Sequence, residues 1–179
     1  MGVEDQGVRA SQGRYQVVPR TLIFITHEDS VLLLKGAPTK KIWANRYNGV
    51  GGHVERDETV YDSALREIAE ETGLTEVQRL TLRGMINIQA GDESTGIMLF
   101  VFSAVSPTRE VVHSGEGRLY WVDWRTIPPE EMADDLPILL PRVLAMGEEA
   151  PPFFARYWYD ETDRLRVEFS GEAGAFSEW

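Results

Sequence analysis

Seven glycine, glutamate and arginine positions between Gly52 and Leu74 constrain this chain more than any other part of its sequence. The stretch reads GHVERDETVYDSALREIAEETGL. Gly52 is followed after five residues by Glu58, after seven more by Arg66-Glu67-Ile68, then by Glu70-Glu71 and Gly73-Leu74. The local chemistry predicts a loop, a helix and a helix stop. Thr59 is a good N-cap, and Asp62 three positions on forms a capping-box-like pair that also suits the positive end of the helix dipole. Gly73 suits the left-handed position that ends a helix. At about 100° per residue, Tyr61, Ala64, Leu65, Ile68 and Thr72 gather on one side as the expected apolar face. Glu67, Glu70 and Glu71 gather on another, because residues three and four apart are neighbours on a helix.

That crowding carries information. Like charges at this spacing repel by a few tenths of a kcal/mol per pair, and a helix needing only solubility would interleave lysines. Arg66 can offset part of the repulsion by pairing with Glu70 one turn on, or by reaching back to Glu58. The remaining negative field suits a hard divalent cation, which takes carboxylate oxygens and, for Mg²⁺, keeps several waters. Alone, an acidic cluster of this kind reads as a solvated helix face. The longer pattern changes the balance: at a usage of about one in fifteen per position, seven fixed positions agree by chance on the order of once in 10⁸ windows.

The pattern resembles the Nudix box, the signature of the Nudix hydrolase superfamily, with every defining position filled. The resemblance implies an α/β fold, an α/β/α sandwich with a mixed β-sheet, in which the box forms a loop-helix-loop. It implies an enzyme that hydrolyses a nucleoside diphosphate linked to another group, between two phosphorus atoms, with Mg²⁺ or Mn²⁺ as cofactor. Carried over by position, Glu67, Glu70 and Glu71 are expected metal ligands, with Gly52 adding a backbone carbonyl. Arg66 and Glu58 are expected to brace the helix as an ion pair. Either Glu67 or Glu70 is the expected general base, with Glu116, in the loop before Trp121, as an alternative base and further metal ligand. The chemistry asks for such an arrangement: a polyanionic substrate approaches clustered carboxylates only when metal ions intervene.

The remaining composition fits this expectation. A chain of 179 residues favours one domain with a real core. The net charge of −11 argues against nucleic-acid binding, which needs a basic footprint, but not against a small nucleotide substrate, because bound metals reverse the local sign. The absence of cysteine excludes disulfides, zinc thiolates and thiol nucleophiles. No apolar run approaches a membrane span, and no basic-then-apolar signal segment opens the chain. A cytoplasmic monomer or homodimer with no membrane partner is expected.

Along the chain, residues 1–13 read as a flexible tail, 14–170 as a single domain and 171–179 as a second tail. Gln16 to Val18 reads as a short edge strand closed by Pro19, and Arg20 to Thr26 as a central strand buried on both faces. His27 to Ser30 makes a turn into a second strand, Val31 to Lys35. The loop from Gly36 to Arg46 carries Lys40, Lys41 and Trp43, and Lys35 at the preceding strand end is a candidate for substrate phosphates. Val77 to Gln89 and Ile97 to Ala104 read as an antiparallel pair, and Leu119 to Trp124 as a further strand. Thr126 to Glu131 resembles a strand-to-helix junction with prolines in the first turn. A helix over Leu136 to Met146 and a hairpin of Phe153 to Tyr159 with Leu165 to Phe169 complete the domain.

Outside the box, Asn48-Gly-Val-Gly-Gly-His-Val, the Trp121 strand, Met132-Ala-Asp-Asp135 and the closing hairpin are similar to the Nudix branch that hydrolyses oxidised purine nucleoside triphosphates such as 8-oxo-dGTP. That resemblance implies base recognition by Asn48, Asp134 and Asp135. An amide offers both donor and acceptor, and one of two neighbouring carboxyl groups can stay protonated. The chain departs from the branch in one respect: Ala133 stands where a stacking tryptophan is expected, which leaves Trp43, Tyr47 or Trp124 for that part. Other linked groups remain open as alternatives, including ADP-ribose and dinucleoside polyphosphates. A non-catalytic nucleotide sensor would have no need for all four box glutamates.

Overall fold

The computed structural model describes residues 13–39, 42–90, 93–113 and 115–171. Lys40 and Lys41, and the expected tails apart from Gly13 and Gly171, lie outside the described residues. The apolar run at Arg20 belongs to a longer strand than its composition suggests, β1 (Gln16–His27), buried from Thr21 to Ile25. The expected short edge strand ending at Pro19 is therefore corrected: the ladder runs straight through the proline. Pro19 O accepts from Val54 N. Residues on a strand alternate sides, so the missing N–H faces the Gly52 loop and costs the ladder on the other side nothing.

That ladder is parallel to β5 (Thr95–Val105), paired from Gln16–Thr95 to Thr26–Val105. The turn at Glu28 leads to β2 (Ser30–Gly36), antiparallel to β1. β2 also pairs with β3 (Tyr47–Asn48) and β6 (Gly117–Val122). β4 (Gln78–Ile88) pairs antiparallel with β5 and parallel with β7 (Phe153–Tyr159), which forms a hairpin with β8 (Leu165–Phe169). The eight strands make one mixed sheet.

One helix covers each face. The alternation of β1 shows this directly, since successive side chains point to opposite faces. Leu22 and Phe24 pack with Leu136, Leu139, Leu140 and Val143 of α2 (Leu136–Ala145). Ile23 and Ile25 pack with Ala64 and Ile68 of α1 (Val60–Thr72). The result is the expected α/β/α layering. Fully burying each of these Leu, Ile and Phe side chains contributes about 1.5–3 kcal/mol, so the two clusters carry the layers. Two local expectations are corrected. Trp124 leaves the strand and opens a 3₁₀ turn, and Pro129 opens a second 3₁₀ turn rather than the first turn of α2, which begins five residues after Glu131 with Pro137 in its opening turn.

Candidate active site

Local chemistry sets the position of α1. Thr59 Oγ1 accepts from Asp62 N at 3.1 Å, Asp62 Oδ2 accepts from Thr59 N at 3.4 Å, and Gly73 closes the helix at φ 73°. Its buried side differs from the apolar face expected. Ser63, Ala64, Glu67, Ile68, Glu71 and Thr72 face inward, while Tyr61 and Leu65 are exposed. Two glutamates thus occupy the buried side, and Glu70 remains exposed.

Arg66 organises the carboxylates. Its guanidinium donates through Nε to Glu58 Oε2 at 3.0 Å, through Nη2 to Glu58 Oε1 at 2.8 Å, and through Nη1 to Glu67 Oε1 at 2.8 Å and Glu70 Oε2 at 3.1 Å. Nη2 also reaches His53 O at 2.9 Å, which ties the Gly52 loop to the helix. The bidentate fork of Arg66 holds Glu58 well below the ordinary carboxylate range, at about 2, and Glu58 in turn is the largest cause that raises Arg66 further. Arg66 thus uses both partners suggested by its sequence position.

The glycines make room for the inward glutamates. Gly51 N donates to Glu71 Oε2 at 3.0 Å. An added Cβ on Gly52 would stand 2.4 Å from Glu67 Oε1, a separation no side chain tolerates unmoved. The Gly52 carbonyl accepts from Thr21 N at 2.9 Å, so its oxygen is engaged with β1. That bond leaves the carbonyl's second lone pair, and Gly52 also serves this site through the side chain it lacks.

Glu67 and Glu71 line a cavity of about 640 Å³. Gly52, Glu116, Asn48, Trp43 and Asp135 line it too, joined by Arg20, Tyr157 and Tyr159. Asn48 Oδ1 accepts from Gly49 N at 2.8 Å, which leaves the amide nitrogen as a donor for a ligand. Burial pushes the Asp135 carboxyl up to about 6, helped by the neighbouring charge of Asp134.

Other expected residues fall elsewhere. Lys35 does not line the cavity: Nζ donates to Glu131 Oε2 at 2.8 Å and lies 4.6 Å from the Tyr47 ring centroid. A strand-end lysine projects to one side or the other by register, and here the register turns it to Glu131. Asp134 is exposed and paired with Arg46 Nη1 at 2.5 Å, so only one member of the aspartate pair faces the cavity. Arg66, Glu58 and the exposed Glu70 are not among the lining residues. Of the three aromatic candidates, Trp43 lines the cavity, with the Arg46 guanidinium 5.6 Å from its ring centroid, and Tyr47 and Trp124 do not. Sequence reasoning missed Arg20, Tyr157 and Tyr159. They come from β1 and β7, strands that only long-range sheet pairing brings together.

Carboxylate oxygens suit a hard divalent cation. Among the described residues no three Asp, Glu or His side chains stand close enough to hold an ion by themselves. Glu67, Glu71 and Glu116 line the cavity, and an ion held there would keep water ligands, as Mg²⁺ does, rather than be fully caged by the protein.

Comparisons with known proteins agree with this architecture. The NUDIX domain model matches residues 17–143. An oxidized purine nucleoside triphosphate hydrolase from Danio rerio is 34% identical over 131 residues, which cover 71% of this chain and 82% of that one. The crystal structure of a mutator MutT protein from Bacillus halodurans superposes with a TM-score of 0.63 at 22% identity, covering 87% of this chain and 99% of that one. The NUDIX domain of NrtR from Shewanella oneidensis, solved with ADP ribose, gives a TM-score of 0.62 at 13% identity over 80% of this chain and 97% of that one. With its box intact, its fold shared and its sequence matched over most of its length, the chain belongs to the Nudix hydrolase family.

Proposed function

We propose that this enzyme hydrolyses a purine nucleoside triphosphate, an oxidised one such as 8-oxo-dGTP in preference, to the monophosphate and pyrophosphate with Mg²⁺ as cofactor. One observation carries the reading: a single cavity joins the carboxylates of Glu67 and Glu71 to the polar groups of Asn48 and Asp135. A nucleotide has the matching polarity, a triphosphate at one end and a hydrogen-bonding heterocycle at the other. The relationship to the fish oxidized purine nucleoside triphosphate hydrolase supports the same substrate class.

Glu67, Glu71 and Glu116, with Glu70 at the rim, are the proposed metal-binding set. Bound Mg²⁺ would supply charge neutralisation of the phosphates and a water of lowered pKa. Arg66 and Glu58 are positioning residues that hold Glu67 at the cavity wall. In hydrolysis a water oxygen forms a bond to phosphorus as the P–O–P bridge breaks toward pyrophosphate. The water proton passes to a carboxylate, for which Glu67 is the best-placed candidate because it is buried and lines the cavity. Asn48 and Asp135 are proposed to bind the base, with Trp43 as the aromatic wall.

A substrate panel with Mg²⁺ tests the reading: unmodified and oxidised purine triphosphates, pyrimidine triphosphates, ADP-ribose and dinucleoside polyphosphates. The highest kcat/KM is expected on an oxidised purine triphosphate. Glu71→Gln should lower that value by at least about 100-fold while the protein stays folded. Preference for ADP-ribose, or near wild-type turnover in Glu71→Gln, would overturn it.

A further inference from the structure

Three buried side-chain polar atoms lack a hydrogen-bond partner among the described residues: Arg20 Nε, Thr21 Oγ1 and Tyr157 Oη. All three residues line the same cavity. Leaving a buried donor or acceptor unsatisfied costs about 1–3 kcal/mol, so such atoms are rare unless something else completes them. Tyr157 is the most confined of the three. It is 1% exposed, it projects from β7 into the core cluster under α2, and its hydroxyl lies within the electrostatic reach of Asp135. A core position needing only volume would be served by phenylalanine at no such cost. The hydroxyl requires another explanation, and the cavity supplies one.

We propose that Tyr157 is a specificity-determining residue whose hydroxyl donates to a carbonyl oxygen of the base while Asp135 accepts from the adjacent N–H. Together they would read a lactam edge, the C=O and N–H pair that guanine and 8-oxopurines present. This rests on the proposed binding of the base at the Asp135 end of the cavity. The two side chains have complementary roles there. Burial raises the Tyr157 phenol far above its ordinary range, so it remains a donor, while Asp135, titrating near 6, is largely an acceptor at neutral pH. A site built around such a pair rejects a base lacking either group, because the buried hydroxyl then stays unpaired.

Tyr157→Phe removes one oxygen and keeps the ring. Three readings on wild type and variant test the proposal: kcat/KM for dGTP and 8-oxo-dGTP, kcat/KM for the 2-aminopurine nucleoside triphosphate, which has no base carbonyl, and the melting temperature without ligand. Expected is a fall of about three- to ten-fold on the lactam substrates, mostly in KM, with the 2-aminopurine value unchanged. The melting temperature should hold or rise, because an unpaired buried hydroxyl has gone. Equal losses on all substrates, no loss on any, or a lower melting temperature would overturn the assignment to Tyr157 while leaving the triphosphatase reading intact. A wild-type enzyme inactive on every nucleoside triphosphate would sink both.

Discussion

At Gly52 the decisive distance is 2.4 Å, the gap between an added Cβ and Glu67 Oε1. The obstructing atom is the far end of a flexible side chain, so the fold can accommodate a methyl group by letting the carboxylate swing. Gly52→Ala should therefore lower the melting temperature by no more than about 3 °C. Turnover should fall about 100-fold, since a displacement near 1 Å of a reacting group has that order of effect. Calorimetry beside kcat on the best substrate checks both halves, and full activity would remove Glu67 from the active arrangement. The glycine is legible in the sequence as a box position, but the room it makes for Glu67 is not. Which way a carbonyl points depends on the partner strand, here Thr21 N. Lys35 shows the same gap between identity and placement: its charge is plain from the sequence, and its partner, Glu131, lies 96 positions away.

Elements were more legible than the contacts between them. The cap, the stop and the extent of α1 follow from interactions within a few residues, and all of them are observed. Hydrophobicity alone does not mark the inward face of the same helix, because Glu67 and Glu71 turn inward on Arg66 and on the Gly51 amide. Buried charges are tolerated where hydrogen bonds meet them, and no helical wheel displays those bonds. Pro19 signals a strand end in the sequence for a related reason, since its exemption depends on a loop pairing beside it. Thr59→Ala separates the local from the tertiary contribution. It removes the half of the capping box made by Thr59 Oγ1 and keeps the backbone half, in which Thr59 N donates to Asp62, which should cost about 1 kcal/mol and lower the melting temperature by about 2–4 °C. Turnover at 25 °C should stay within about two-fold, because Arg66 still fixes Glu58 and Glu67 independently of the cap. A large loss of kcat without a stability change would make the cap part of the site.

Across the whole molecule, the strand order was beyond the sequence. The parallel pairings of β1 with β5 and β4 with β7 join residues about 80 and 70 positions apart, and no turn chemistry announces them. Those pairings bring Tyr157 from the C-terminal hairpin to the wall of a cavity that Glu67 and Glu71 of α1 also line. The same long-range assembly concentrates negative charge: a chain of net charge −11 turns Glu67 and Glu71 inward together. Their repulsion opposes folding, and a divalent ion between them and solvent would relieve it. Ligands that bind only the folded state raise its stability by mass action. For a dissociation constant near 1 mM, about 10 mM Mg²⁺ adds roughly 1.4 kcal/mol, or about 3–6 °C in melting temperature. The rise should survive against a control matched for ionic strength with NaCl, and Glu67→Gln combined with Glu71→Gln should abolish most of it. An equal rise in the double variant would mean that the ion is held elsewhere on the acidic surface, and the carboxylates of α1 would lose their assigned chemistry.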